Sequence, residues 1–588
     1  ATNTPMFATN TPTSGVLPSD TPVPGTNTNT AMPPTNTATN TNTAVPGTNT
    51  NTPVPPTNTN TPVPGTNTNT PVVPTATATT VACAPSIPNP IATVAALICA
   101  IQLANDETNY PGQNTLNIAA DTSIPVVSPF VGSNGLPVIT SDIVISGNGS
   151  TLYRGKTATS AFRFFEVALS GNLTLNNLQV IGGLAGSPGG AILSYGNLKL
   201  NNASLSGNNA PSGDGGAIYQ EGGSLLIQES FVQFNDASAN GGGIAVVNAS
   251  VTIEESTISN NSAQNGGGLS ATGTSGNLQI VRTLMVANIA SDNGGGVYLG
   301  IGAGSFTGNQ LSVQSNQALN GGGIYSTHPI QLNYSSVDTN TAGTGGGGLG
   351  NVANPASEGG GLYICASAGA SEIAHSTVSN NNPSGVQSCN AAGLSFTNST
   401  VSSNSGDGVV SEALVLTFTT VANNSGTGIL GSSTMMKNAL IAGNGSDCSG
   451  AVIAAAGTNL DSDGTCGVTT SPLANIQLDA LAHNGGFGQT HALGDTSTAL
   501  NIAADCTDFG SGAITVDQRD LPRPALGACD VGSFELQTSS GTATPTLIAT
   551  DTSTPTETPT ATSTPTSTAT ATATATPTFT STFTPTFT

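Results

Sequence analysis

The sequence predicts an all-β fold, a single-stranded parallel β-helix solenoid with capped ends, held between two disordered Thr/Pro-rich arms. Three observations predict it. Composition changes abruptly near residues 82 and 539, two short motifs alternate through the middle with a near-constant period, and the segments between them are short, β-branched and alternate with period two. These boundaries divide the chain into a spacer (1–82), a β-helix with an N-terminal capping helix (83–445), an irregular C-terminal cap with a closing motif (446–538) and a second spacer (539–588).

The first spacer holds 27 Thr, 15 Pro and one charged residue, Asp20. A nine-residue unit recurs there without a gap, as in Thr48–Pro56, Thr57–Gly65 and Thr66–Pro74. A proline every few residues leaves no apolar periodicity to bury, so an extended, polyproline-II-leaning chain is expected. The closing spacer repeats the theme, and both arms have a composition suited to O-glycosylation. Of the 73 glycines, 68 lie between the arms.

One motif of the middle region is a glycine pair or triplet followed by an apolar residue and often Tyr, as at Gly215-Gly216-Ala217-Ile218-Tyr219 and Gly322-Gly323-Ile324-Tyr325. The other is an apolar residue with Asn three positions later. Its asparagines are Asn208, Asn235, Asn261, Asn288, Asn316, Asn340, Asn381, Asn404, Asn424 and Asn444, separated by 27, 26, 27, 28, 24, 41, 23, 20 and 20 residues. The long interval marks a coil carrying an insertion around Gly345–Glu358. Such a period means a solenoid in which each repeat packs on its neighbours. Glycine supplies positive φ at the corners. The repeated Asn is expected in the left-handed region at a turn, its amide stacked on that of the next coil as a ladder.

Open strands at the ends of a solenoid need cover. Asn89-Pro90, followed by Ile91, Val94, Leu97, Ile98 and Ile101, predicts a capping helix with Asn89 as N-cap and Pro90 as its first residue. Its apolar run is too short to cross a bilayer, and no transmembrane segment is expected. The eight cysteines form four sequential couples, Cys83/Cys99, Cys365/Cys389, Cys448/Cys466 and Cys506/Cys529. Their even number and the absence of C-x₂₋₄-C spacing favour disulfides in an oxidising, extracytoplasmic setting over zinc, although spacing alone leaves connectivity open. The chain starts without Met inside one repeat and ends inside another, as a fragment or processed form would.

The alternation of glycine–apolar–Tyr and apolar-x-x-Asn resembles the right-handed parallel β-helix repeats of polymorphic outer-membrane-protein and pectin-lyase-like surface proteins. Asp517–Pro524 (DQRDLPRP), followed by Gly527–Glu535 (GACDVGSFE), is similar to the closing motif of bacterial choice-of-anchor surface proteins, with Asp520 in place of the usual Gly. The resemblance spans residues 83–538 and implies secreted or surface-displayed bacterial proteins, mostly without a demonstrated activity.

With 8 Lys and Arg against 31 Asp and Glu, a net charge of −23 and no Trp, the chain lacks the cationic surface that nucleic acid or anionic lipid requires. A lyase needs a base near acidic Ca²⁺ ligands, yet Lys199, Arg282 and Lys437 lie several coils apart, and Arg154, Lys156 and Arg163 read as capping or surface residues. Asp214, Asp236, Asp292 and Asp338 recur near turns, where Asp is favoured for its own sake. His483 and His491 flank a glycine pair in the cap and read as ordinary polar residues. Asp461-Ser462-Asp463-Gly464 resembles the opening of a Ca²⁺ loop without the remaining ligands, so Asp461 and Asp463 are the candidate metal residues and Ca²⁺ the single cofactor considered. The sequence leans away from catalysis, with no catalytic residue assigned. It points to an extracellular or cell-surface adhesion-type β-helix for polysaccharides or other surface ligands, with a pectate-lyase-like lyase or hydrolase as the alternative.

Overall fold

The computed structural model describes residues 83–537 apart from 274–275, 344–358, 367–368 and 390–392, and the side chains of 451–454 are left aside. The two arms and the insertion expected around Gly345–Glu358 therefore lie outside the described residues.

Short strands separated by corners wind through about 11 turns of a parallel β-solenoid. Strands stack coil upon coil in three ladders. Ladder A begins at Phe165–Val167 and passes through Ile192–Ser194, Ile218–Glu221 and Ile244–Val247. Ladder B begins at Asn114–Asn117, and ladder C at Ser123–Val126. A short ladder D joins Asn209–Ala210, Asp236–Ala237, Ser262–Asn265 and Ile289–Asn293 at the corner after ladder C.

Period two within each strand turns one set of side chains inward. Ile192, Ile218 and Ile244 of ladder A, Leu200, Ile227 and Ile253 of ladder B, and Leu205, Val232 and Ile258 of ladder C are fully buried in one continuous core. Each such side chain contributes roughly 1.5–3 kcal/mol. The glycine triplets are corners with two separate demands. Gly241 has φ +66°, open to glycine at little cost, and a Cβ on Gly242 would collide with the carbonyl oxygens of Ser262 and Gly267 on the next coil.

The helix at the N-terminal end spans Val94–Ala104 and packs over the first strands of ladders B and C, burying Leu97, Ile98, Ala100 and Ile101. It starts later than Asn89-Pro90 suggested. Ile91 is drawn instead into pairing, its N–H donating to Asn117 O at 2.8 Å, and extended Thr93 becomes the N-cap, its Oγ1 accepting from Ala96 N. Parallel pairing also continues beyond residue 445: Ser446–Ala456 pairs with Thr427–Lys437, and Leu460–Asp461 with Leu440–Ile441. From Ser471 onward the chain doubles back along the outer side of ladder C. There Ser533 N donates to Thr420 Oγ1 at 3.0 Å, Thr400 Oγ1 to Gln518 Oε1 at 2.6 Å, and Asn398 Nδ2 to Val516 O at 2.9 Å. A second apolar cluster, including Phe418, Leu440, Leu493, Val531 and Phe534, sits beneath this returning segment.

Cysteines pair as Cys83–Cys99, Cys365–Cys389, Cys448–Cys466 and Cys506–Cys529, with Cα–Cα separations of 5.3, 5.0, 4.9 and 5.8 Å. Four such bonds fit an oxidising compartment. No helix among the described residues is long and apolar enough to cross a membrane.

Candidate ligand-binding face

Three polar ladders run from coil to coil. Asn235 represents the first: its Nδ2 donates to Leu205 O (3.1 Å) and Asn261 Oδ1 (2.9 Å), and its backbone N–H donates to that same Oδ1 (3.0 Å). The pattern runs from Asn208 to Asn444, so each interior amide makes both its donations and accepts twice, leaving nothing unsatisfied. The left-handed conformation falls one residue earlier than expected, on Phe234 (φ 57°), Asn260 (54°), Ala287 (57°) and their equivalents. That residue turns the chain, which frees the following Asn to point inward.

Asp447 ends this ladder. Its Oδ1 accepts from Asn444 Nδ2 at 3.0 Å, and its Oδ2 from Ser462 N and Oγ at 2.6 and 2.7 Å. The second ladder consists of buried hydroxyls at the corner between B and C: Ser230, Ser256, Thr283, Ser335, Ser376, Ser399 and Thr419. Ser256 Oγ, for example, accepts from Ser230 N and donates to Glu254 O. The third is half-exposed, with Asn320, Asn293, Asn265 and Asn240 donating in turn toward Asp214 Oδ1.

Most candidate carboxylates are engaged by neighbouring donors, Asp214 as the end of the third ladder. Asp214 accepts from Asn240, Asp292 from Gln264 Nε2 at 2.7 Å, and Asp338 from Ser379 Oγ at 2.7 Å; Asp236 faces Ser262 Oγ. They stand on different coils, each with its own partner, and Asp214 and Asp292 flank the same corner several coils apart. Asp461 Oδ2 accepts from Cys466 N at 2.9 Å, and Asp463 accepts from Thr465 and from Asp447 N. Among the described residues Asp461 Oδ1 is buried without a partner, the other oxygens of the two carboxylates face backbone and hydroxyl donors, and no group of three His, Cys, Asp or Glu is arranged to hold a metal ion. Arg154 donates to Ala158 O and Ser160 O.

The closing motif forms a polar core beneath the returning segment. Arg523 Nε lies 3.1 Å from Glu535 Oε2, both side chains essentially inaccessible, and its guanidinium covers the Phe418 ring at 4.3 Å. Arg519 pairs with Asp517 at 2.6 Å and lies over Phe534. Burial holds the Arg523 pKa below its usual value against the opposing pull of Glu535, Asp517 and Asp530. His491 Nε2 meets Ser402 Oγ at 2.7 Å and its Nδ1 meets Asp479 O at 2.6 Å; burial lowers its pKa.

The returning segment covers the outside of ladder C in its last coils, whereas ladder A lies elsewhere on the coil. The outward positions of ladder A, in register from coil to coil, are Leu193, Tyr219, Ala245, Ser270, Tyr298, Tyr325 and Tyr363, of which the four tyrosines are half-exposed and Leu193, Ala245 and Ser270 are buried. Tyr298 and Tyr325 stack with ring centroids 5.5 Å apart, and Tyr325 and Tyr363 at 5.1 Å with planes 5° apart. Stacked in this way, the rings turn their edges outward.

Toward the N-terminal end the same face opens into a groove of about 500 Å³ whose walls include Asn134, Arg163, Glu166, Tyr195, Tyr219 and Glu221. Arg163 is the one cation among the described residues that line it, and its guanidinium is fully engaged by Gly189 O, Asn134 Oδ1, Ser187 Oγ, Pro188 O and Glu166. Burial, Glu221 and Asp214 push the Tyr219 hydroxyl up to about 12, and burial also raises Tyr298 and Tyr325. These phenols remain neutral and can both donate and accept hydrogen bonds. The face therefore suits neutral, hydroxyl-rich ligands and repels polyanions. Comparison with known proteins returns no match: no family model, no curated protein and no solved structure matches this chain.

Proposed function

We propose that this chain is an extracellular or surface-displayed β-helix that holds neutral glycans or similar hydroxyl-rich polymers along ladder A, without turning them over. One observation carries the reading: a row of in-register tyrosines on a face that the returning C-terminal segment leaves free. Ladder repeats spaced about 4.8 Å apart offer a polymer several weak contacts, with Tyr298, Tyr325 and Tyr363 on consecutive coils, which favours avidity over one deep pocket. The disulfides and the resemblance to secreted β-helix proteins support the extracellular setting. Glu166 and Glu221 on the groove are the feature that favours the hydrolytic alternative.

The test is calorimetric binding of the full chain to a panel of neutral and uronate polysaccharides, with reducing ends and unsaturated products followed in parallel. Binding of neutral polymers without turnover is expected, weakened about tenfold by Tyr325→Ala, the loss of one or two hydrogen bonds. Turnover abolished by Glu166→Gln would replace this reading with the hydrolase. Preference for uronates would overturn it.

A further inference from the structure

The chain contains eight Asn-Gly pairs, at Asn134, Asn148, Asn240, Asn265, Asn293, Asn320, Asn444 and Asn484. Asn-Gly is chemically labile because glycine has no Cβ to hinder attack by its own backbone nitrogen on the preceding side chain. In that reaction the glycine nitrogen loses its proton and forms a bond to the Asn Cγ, and ammonia leaves. Water then opens the resulting cyclic imide to aspartate or isoaspartate. The glycine N–H must be free for this to occur.

We infer that Asn484 is the deamidation site of the folded protein, and that the solenoid corners hold their own Asn-Gly pairs unreactive. In the corners, Gly241, Gly266 and Gly294 donate their N–H to the carbonyls of Asn265, Asn293 and Asn320 at 2.8, 2.9 and 2.9 Å. Gly135 and Gly445 are likewise bonded, to Arg163 O and Asn424 O. Asn320 belongs to the same amide ladder, and Gly321 is buried. At Asn148 the following glycine faces the Asp121 carboxylate, whose charge opposes loss of the amide proton. Gly485 is different: it is exposed, has φ +101°, has no atom within 4 Å of a Cβ position, and its N–H has no partner among the described residues.

The consequence is local. Asn484 Nδ2 donates to Thr490 O (2.8 Å) and Oγ1 (3.2 Å), closing the turn whose other end is the Ala482–Thr490 pairing, and its carbonyl accepts from Arg519 Nη1 at 3.1 Å. Deamidation replaces that donor with a carboxylate facing the Thr490 carbonyl. It loosens the turn where the returning segment contacts ladder C through Gln489 O and Thr377.

The experiment incubates the full chain, folded and separately in denaturant, in mildly alkaline buffer, and maps the one-mass-unit gain by peptide. In the folded chain Asn484 reacts about a hundredfold faster than Asn240, Asn265 or Asn293, whose reaction requires local opening. In denaturant the sites converge within a few-fold. Asn484→Gln removes the fast signal without altering the others. A folded-state ratio below about tenfold, or an Asn484 that reacts in denaturant alone, overturns the inference.

Discussion

Replacing Asn288 with Ala tests the buried amide ladder at its centre. Asn288 is fully buried; its Oδ1 accepts from Asn261 N (3.1 Å) and Nδ2 (2.9 Å), and its Nδ2 donates to Ile258 O (2.9 Å) and Asn316 Oδ1 (3.0 Å). Truncation removes four hydrogen bonds at once and leaves two buried donors, the Asn261 N–H and one Asn261 Nδ2–H, without their acceptor. At roughly 1–3 kcal/mol for each buried polar group left unsatisfied, two such groups cost about 2–6 kcal/mol, before the cavity is counted. Asn288→Asp is expected to be worse, because it keeps the acceptor yet points a buried oxygen at Ile258 O and Asn316 Oδ1. Asn265→Ala, in the half-exposed ladder, should cost about 1 kcal/mol.

A solenoid opens locally, so native-state hydrogen exchange is the appropriate assay rather than a single midpoint. Protection should fall at the amides of Asn261, Ile289 and their neighbouring coils, and remain at the helix Val94–Ala104. An Asn288→Ala loss under about 0.5 kcal/mol, or one spread evenly along the chain, would refute the reasoning.

Acid should release the returning segment. His491, facing Ser402 Oγ and Asp479 O, and His375, facing Tyr334, Asp517, Gln518 and Asp520, both have pKa values lowered by burial. Their stabilising contribution is complete above the unfolded value of about 6.5 and falls toward acid by up to about 1.4 kcal/mol per pH unit per histidine, until their folded values are passed. Limited proteolysis between residues 471 and 537 across that range should accelerate, and a pH-independent rate would contradict the assignment. Arg523→Met should destabilise by about 3–5 kcal/mol in urea unfolding, because Glu535 is left charged and buried, and adding Glu535→Gln should recover much of the loss. Gly242→Val should cost about 3 kcal/mol or more through its clash with Ser262 O, whereas Gly186→Ala, which meets nothing within 4 Å, should stay within about 0.5 kcal/mol of wild type.

The solenoid was legible because its periodicity is written in few residue types. An apolar residue with Asn three positions on, repeated every 20–28 residues, leaves little choice of fold. The left-handed residue was misplaced by one position because Phe234 and Ala287 are not turn formers, and tertiary stacking overrides their local preference. The hydroxyl ladder was hidden by the abundance of Ser and Thr; its signal is a hydroxyl residue two positions before most inward apolar residues of ladder C, as in Ser230 before Val232, with Ala203, Leu311 and Ala439 among the exceptions. The second amide ladder could have been found, since Asn or Asp precedes the glycine pair or triplet at Asp214, Asn240, Asn265, Asn293 and Asn320. The path of the returning segment could not. Many of its bonds join residues from 70 to more than a hundred positions apart, such as Lys437 with Thr507 and Thr400 with Ser533, and no local pattern encodes them. The tyrosines were visible within the glycine motif, but their alignment on one outer face required the coil register.

That register underlies every ladder described above, and a disulfide scan tests it most directly. Phe231 and Thr257 are register partners on adjacent coils of ladder C. Cysteines at both positions should sit about 5 Å apart at Cα and bridge within one chain. Cysteines at Phe231 and Ser259, displaced by two residues along the strand, should lie about 8 Å apart and stay reduced. Efficient bridging of the first pair alone is the predicted result; bridging of the displaced pair in its place would contradict the coil register.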